Sequence, residues 1–188
     1  MDKRRFVAVL IFAGILVVPA RTQEGPKAAP KPAPSASEAV LEPWNEIGRK
    51  LVAMAEDFPE DKYDFKPTPA VRSFAERLIH AAYANQFFTN TLLGKKLPGM
   101  DEPTRDQLRT KADMVAFVKQ SFADGAAAIK AKGDKGMSDL VVDPFTDRQT
   151  RAIDFAHGFI EHSEEIYGQL TVYYRVAGLI PPESRPKK

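Results

Sequence analysis

The sequence has 188 residues, of which 44% are hydrophobic, and its formal net charge at pH 7 is only +2. This length and hydrophobic content predict one domain with a core, together with extensions. The weak net charge argues against a nucleic-acid-binding protein, which would carry a strongly basic surface. The absence of cysteine excludes disulfides, thiolate metal ligands, a cysteine nucleophile and a lipid-modified cysteine.

Residues 1–20 have the pattern of a signal peptide. A basic segment is followed by an apolar run from Phe6 to Val18, and Val18 and Ala20 suit the −3 and −1 positions of a cleavage site after Ala20. The apolar run is short for a transmembrane helix. We therefore expect a secreted or periplasmic protein without a stable membrane span after cleavage. An uncleaved membrane anchor is the alternative.

The next segments predict a tether and two helices. Residues 21–36 are rich in proline and alanine, which predicts a disordered, polyproline-like tether. Apolar residues then recur every three or four positions as far as Pro59, as in an amphipathic helix. A second helix is predicted to begin at the capping box of Ser73 and Glu76 and to end at Gly94.

Two more helices are predicted further along the chain. Thr110 is a candidate cap for the third helix and Thr146 for the fourth, which is expected to end at Gly178. The intervening residues 137–145, MSDLVVDPF, predict an extended crossover before the last helix. Four amphipathic helices of this size predict an all-α protein, with a four-helix bundle over residues 37–186.

Two histidines lie on the inward faces of the predicted bundle. His80 lies in the second helix and His162 on the apolar stripe of the fourth, whereas His157 lies about 140° away from His162 around the helix axis. Histidines from different helices form metal sites in bundle cores, although a hydrogen-bonded core histidine is the alternative. Glu165 is three residues from His162 and could supply a further ligand; a solvated acidic face is its alternative.

Two runs of the sequence resemble the conserved blocks of the DinB-like family of small helical-bundle proteins. They are KPTPAVRSFAERLIHAAYANQFF, residues 66–88, and HSEEIYGQLTVYYRVAGLIPPESR, residues 162–185. The resemblance implies a four-helix bundle of DinB-like type, often dimeric, with a divalent metal, commonly nickel or zinc, held by three histidines. His80 and His162 match the first two ligand positions, and Ile166 occupies the third.

The resemblance implies a metal-dependent hydrolase or transferase whose histidine site is incomplete. His80, His162 and Glu165 are then the expected metal ligands, and the zinc or nickel ion is expected to be weakly bound or absent because Ile166 replaces the third histidine. The alternative is a non-catalytic module that binds a small-molecule ligand or a protein and has lost the metal. On either reading, we expect His80 and His162 to face each other closely enough to share one ion or one water molecule.

Overall fold

The computed structural model describes residues 31–186, and from Ala33 onward these form one compact unit. Within the described range the chain forms four α-helices, which confirms the prediction of an all-α four-helix bundle. The helices are α1 (Ala36–Asp57), α2 (Phe74–Leu92), α3 (Lys111–Gly136) and α4 (Ala152–Val176). The short strands β1 (Leu140–Val142) and β2 (Gln149–Arg151) precede α4, and single 3₁₀ turns lie at Glu60–Lys62 and Pro182–Ser184.

Three of the helices begin with a capping box, in which a hydroxyl and an acidic side chain satisfy free backbone N–H groups. The pairs are Ser35 with Glu38, Ser73 with Glu76, and Thr110 with Asp113. The predicted starts of α2 and α3 are therefore confirmed. Helix α1 begins slightly earlier than predicted, because Ser35 and Ala36, assigned to the tether, form its cap and first residue.

The predicted start of the fourth helix at Thr146 is wrong. Thr146 donates its hydroxyl to Asp143 at 2.8 Å, and the N–H of Phe145 donates to the same carboxylate at 2.8 Å. These bonds stabilise a turn within a β-hairpin, so the hydroxyl does not cap a helix. The predicted extended crossover is thus an antiparallel pair, with Val141 opposite Thr150, and α4 begins at Ala152.

A tryptophan joins the helices in the core. Trp44 of α1 is fully buried, and its indole N–H donates to the carbonyl of Phe122 in α3 at 2.9 Å. Its ring centroid lies 4.6 Å from that of Phe88 in α2. A Cβ atom at Gly125 would lie 2.0 Å from the indole ring, so glycine is required for this close approach. This packing fixes α2 relative to α1 and α3.

No helix within residues 31–186 is both long and apolar enough to cross a membrane. The predicted signal peptide, residues 1–20, lies outside the described residues, as does most of the predicted tether. Cleavage after Ala20 and export to the periplasm or the medium therefore stay predictions.

Candidate functional site

His80 and His162 meet between α2 and α4. Their ring centroids are 5.0 Å apart, and the rings are inclined at 77°. Both side chains are partly exposed, and both line a cavity. The structure therefore brings together the two histidines singled out in the sequence, and an ion or water molecule shared by both rings stays a prediction.

Glu102 is a third member of this cluster, and sequence reasoning missed it. Its Oε1 lies 2.6 Å from Nδ1 of His80, and its Oε2 lies 3.3 Å from Nη1 of Arg72. Glu102 belongs to the loop between α2 and α3, where no helical periodicity marks which side chains point inward. The sequence offers one general indication of such a residue, because a half-buried imidazole needs hydrogen-bond partners for both ring nitrogens.

The loop that carries Glu102 is held against α2. The hydroxyl of Tyr83 donates to the carbonyl of Gly99 at 2.9 Å, and Asn90 donates its side-chain N–H to the carbonyl of Lys96 at 2.8 Å. These bonds are independent of the histidines. Because they already order the loop beside α2, the pairing of Glu102 with His80 costs little additional loop entropy.

The environment of His162 favours its neutral form. Burial lowers the pKa of His162 below its ordinary value, and the neighbouring His80 lowers it further, while Glu165 acts in the opposite direction. A neutral imidazole has one nitrogen that accepts a hydrogen bond and one that donates. His162 can therefore offer either group to a molecule in the cavity.

Glu165, His157 and Ile166 do not line the cavity beside the two imidazoles. Glu165 and His157 are exposed, whereas Ile166 is 2% exposed and packs in the core. Among residues 31–186, no three His, Asp or Glu side chains are grouped so that they could hold a metal ion. The described residues therefore present no ready-made set of three protein ligands for a zinc or nickel ion. The ligand roles of His80, His162 and Glu165 stay a prediction.

A cavity of about 440 Å³ opens beside the two imidazoles, between α2, α4 and the hairpin. This volume lies within the range typical of small-molecule sites. Most of the cavity surface is apolar. The residues that line it are His80, Ala84, Asp143, Phe145, Thr150, Asp154, Phe155, Gly158, Phe159 and His162.

The two carboxylates in the cavity wall already have partners. Asp143 accepts hydrogen bonds within the hairpin turn, and Asp154 accepts two from the guanidinium of Arg151, at 2.6 and 2.8 Å. The described residues that line the cavity include no lysine or arginine. The remaining polar side chains of the lining are the two imidazoles and the hydroxyl of Thr150.

The sequence matches the family model of the DinB superfamily over residues 44–170. This range spans most of the bundle, from the middle of α1 to the last turns of α4, and includes His80, Glu102 and His162. No protein of curated function matches the chain.

Solved structures of similar fold are also DinB-like. A DinB-like protein from Bacillus subtilis has a TM-score of 0.62 at 19% identity, over 79% of this chain and 99% of that one. One from Bacillus cereus has a TM-score of 0.64 at 19% identity, over 77% and 95%. YfiT from Bacillus subtilis, described as a probable metal-dependent hydrolase with an unusual four-helix bundle topology, has a TM-score of 0.59 at 14% identity, over 81% and 95%. These matches confirm the DinB-like fold.

Proposed function

The chain belongs to the DinB superfamily, and from this premise we propose that it is a member that binds a small, mainly apolar molecule between α2, α4 and the hairpin. The observation that carries the proposal is the cavity of about 440 Å³ with two imidazoles at its wall. Ile166 supports it, because an apolar core residue stands where the resemblance implies a metal ligand.

The aromatic lining supplies the main binding free energy. Phe155 and Phe159 have ring centroids 5.0 Å apart, and the ring of Phe145 lies 6.4 Å from that of Phe159. An aromatic ligand that buries about 150 Å² of apolar surface here would gain about 4 kcal/mol, before the cost of association is subtracted. One ring therefore binds weakly, and a natural ligand would fill more of the cavity.

Gly158 offers a direct test, because it lines the cavity and a Cβ atom built on it meets nothing within 4 Å. The substitution Gly158→Leu should fill part of the cavity and abolish binding of the probe anisole, measured by NMR titration. Leucine has a higher helix propensity than glycine, so the variant should fold.

The matched control is Gly168→Leu in the same helix. A Cβ atom at Gly168 also meets nothing within 4 Å, but this residue does not line the cavity. The control should bind anisole as the native protein does. Anisole binding that survives in Gly158→Leu, or no binding of anisole or larger aromatic probes to the native protein, would contradict the proposal.

A metal-dependent hydrolase or transferase is the second candidate. Two observations favour it. The ring centroids of His80 and His162 are 5.0 Å apart, and the carboxylate of Glu102 pairs with Nδ1 of His80, as carboxylates commonly do with metal-bound histidines. The description of YfiT points the same way. On this reading, His80 and His162 are the expected ligands of a weakly bound ion, with Glu165 as a further ligand or a general base.

We also propose that the protein is exported by its first twenty residues and that it can form homodimers. The export proposal is supported by the basic segment, the apolar run from Phe6 to Val18 and the small residues before the cleavage site. The dimer proposal is supported by the family resemblance alone.

A further inference from the structure

We infer that the molecule bound in the cavity is uncharged and combines an apolar body with one hydrogen-bond donor, as a phenol does, and that Glu102 determines this preference by orienting His80. The inference rests on the proposed function, because it specifies the ligand of the same cavity. It assigns Glu102 a positioning role, since Glu102 contacts His80 and does not itself line the cavity.

The first step is the tautomer of His80. The carboxylate of Glu102 can only accept hydrogen bonds, and it lies 2.6 Å from Nδ1. In the neutral imidazole the proton is therefore placed on Nδ1, which leaves Nε2 as an acceptor. A ligand that pairs with Nε2 must bring an O–H or N–H group.

The second step is the identity of the carboxylate's other partner. Nη1 of Arg72 lies 3.3 Å from Oε2 and 3.4 Å from Oε1 of Glu102, and its guanidinium carries a permanent positive charge. While one carboxylate oxygen pairs with this guanidinium, the other faces Nδ1 of His80 as a hydrogen-bond acceptor. Glu102, which is itself paired with Arg72, thus orients the imidazole ring of His80.

The third step is the charge around the cavity, which disfavours ionic ligands. No lysine or arginine is among the described residues that line the cavity, and Asp143 stands in its wall, so an anion would find no cationic partner there. A cation would find both carboxylates already engaged, Asp154 by Arg151 and Asp143 within its turn. A neutral ligand avoids both costs.

The fourth step is the apolar surface. Phe145 lines the cavity and is 56% exposed, and its ring centroid lies 5.3 Å from that of Phe87. Together with Phe155 and Phe159 it offers ring faces and edges that suit an aromatic guest. A phenol matches both features, because its ring contacts these side chains while its hydroxyl reaches His80.

The test compares three probes of similar shape on the full-length protein at pH 8, by NMR titration. Phenol carries the donor, anisole has the donor capped by a methyl group, and benzoate is an anion. We expect phenol to bind about threefold to tenfold more tightly than anisole, the range for one net hydrogen bond, and benzoate to bind most weakly. Anisole binding as tightly as phenol, or benzoate binding more tightly, would overturn the inference.

The substitution Glu102→Gln tests the positioning role. The glutamine amide can donate to Nδ1 as well as accept from it, so both tautomers of His80 become accessible. The ratio of the phenol and anisole affinities should fall towards one, because the tautomer with the proton on Nε2 can donate to the ether oxygen of anisole. Glu161→Gln, an exposed substitution on α4, is the matched control and should keep the native ratio. A native ratio in Glu102→Gln would contradict the role of Glu102.

A chromophoric phenol gives a second readout that does not depend on the variant folding. The absorbance of 4-nitrophenol distinguishes its neutral and ionised forms, so the pKa of the bound probe can be measured on the native protein. Preference for the neutral donor raises that pKa, and a lowered pKa would overturn the inference. Failure of all the aromatic probes to bind would instead contradict the proposed function, so the two failures are distinguishable.

Discussion

Ile166 is the residue that separates the two candidate functions. It is 2% exposed, one helical turn after His162, at the position where the resemblance implies a third histidine ligand. Residues four apart lie on the same face of a helix, so a histidine at this position could approach the ion that the first two ligands would hold. The present isoleucine instead contributes apolar contacts to the core.

The substitution Ile166→His should create a tight zinc or nickel site that the native protein lacks. Three imidazoles and a water molecule satisfy tetrahedral zinc, whereas two imidazoles leave it one protein ligand short. Isothermal titration calorimetry with Zn²⁺ or Ni²⁺ measures the difference. The buried histidine also costs stability, so a thermal melt with and without metal should show recovery on metal addition.

Experiments on the native protein can show the opposite result, a functional metal site. Tight metal binding by the native chain, with metal-stimulated hydrolysis of ester or amide substrates that is lost in His80→Ala and His162→Ala, would establish the metal-dependent hydrolase. It would also show that solvent, substrate or Glu165 completes the site. Equal and weak metal binding by the native and Ile166→His proteins would contradict the prediction for this position.

Residues differ in how far the sequence could predict their roles. His80 and His162 could be identified because both follow helical periodicity, and a buried stripe identifies inward-facing residues. Glu102 could not, because its contact with His80 spans 22 residues and depends on the path of a loop. Loop paths depend on tertiary bonds such as that from Tyr83 to Gly99, which no local pattern encodes.

At the scale of the structural elements, an ion pair connects the C-terminal segment after α4 to the end of α1. The guanidinium of Arg185 donates to both carboxylate oxygens of Asp57, at 2.8 and 2.5 Å. The Arg185 guanidinium lowers the pKa of Asp57 below its ordinary value, and burial opposes this only in part. The hydroxyl of Tyr174 lies 3.2 Å from the same carboxylate.

Asp57→Asn should therefore destabilise the bundle near neutral pH, by about 0.5–1 kcal/mol because the pair is partly solvent-exposed. Since the pKa of Asp57 is lower in the folded state than in the unfolded state, its contribution is present above the unfolded value. It is lost as the pH falls through the folded value. Urea unfolding between pH 7 and pH 2 should show the stabilities of the native and variant proteins converging at the acidic end.

The control for this prediction is Asp61→Asn in the exposed turn after α1. Asp61 is exposed on the surface, so its substitution should change stability by less than about 0.5 kcal/mol across the same pH range. A constant difference between native protein and Asp57→Asn down to pH 2 would assign the effect to packing and contradict the electrostatic explanation.

The starts of the helices show which local sequence signals are sufficient to predict where a helix begins. The boxes at Ser73 and Thr110 were predictable because the N-cap hydroxyl and the acidic residue three positions later bond to each other's backbone. Thr146 has a similar local sequence, yet its hydroxyl bonds to Asp143 because strand pairing brings the chain into a hairpin turn. Competing side-chain bonds of this kind depend on the neighbouring strand, which a local pattern does not reveal.

At the scale of the whole molecule, the helical bundle and the N-terminal region differ in amino-acid composition and in hydrophobic periodicity. The bundle from Ala36 onward has helical periodicity and a continuous core, whereas residues 21–34 are dominated by proline, alanine and charged or polar residues. Such a composition cannot bury enough apolar surface to form a core and predicts a spacer. The sequence therefore predicts that the bundle folds independently of the first 34 residues.

The final prediction concerns the processing of the chain. We expect the mature protein to begin at Arg21, because Val18 and Ala20 fit the small-residue requirement of signal cleavage, and to be recovered from the extracytoplasmic fraction. N-terminal sequencing of the product expressed in its natural host measures this directly, and Ala20→Glu should block cleavage because a large charged residue does not fit the −1 position. If the native product begins at Met1 and stays with the membrane, cleavage is contradicted. The tether would then separate an anchored bundle from the bilayer by up to about 40 Å, at about 3.1 Å per residue in an extended proline-rich chain.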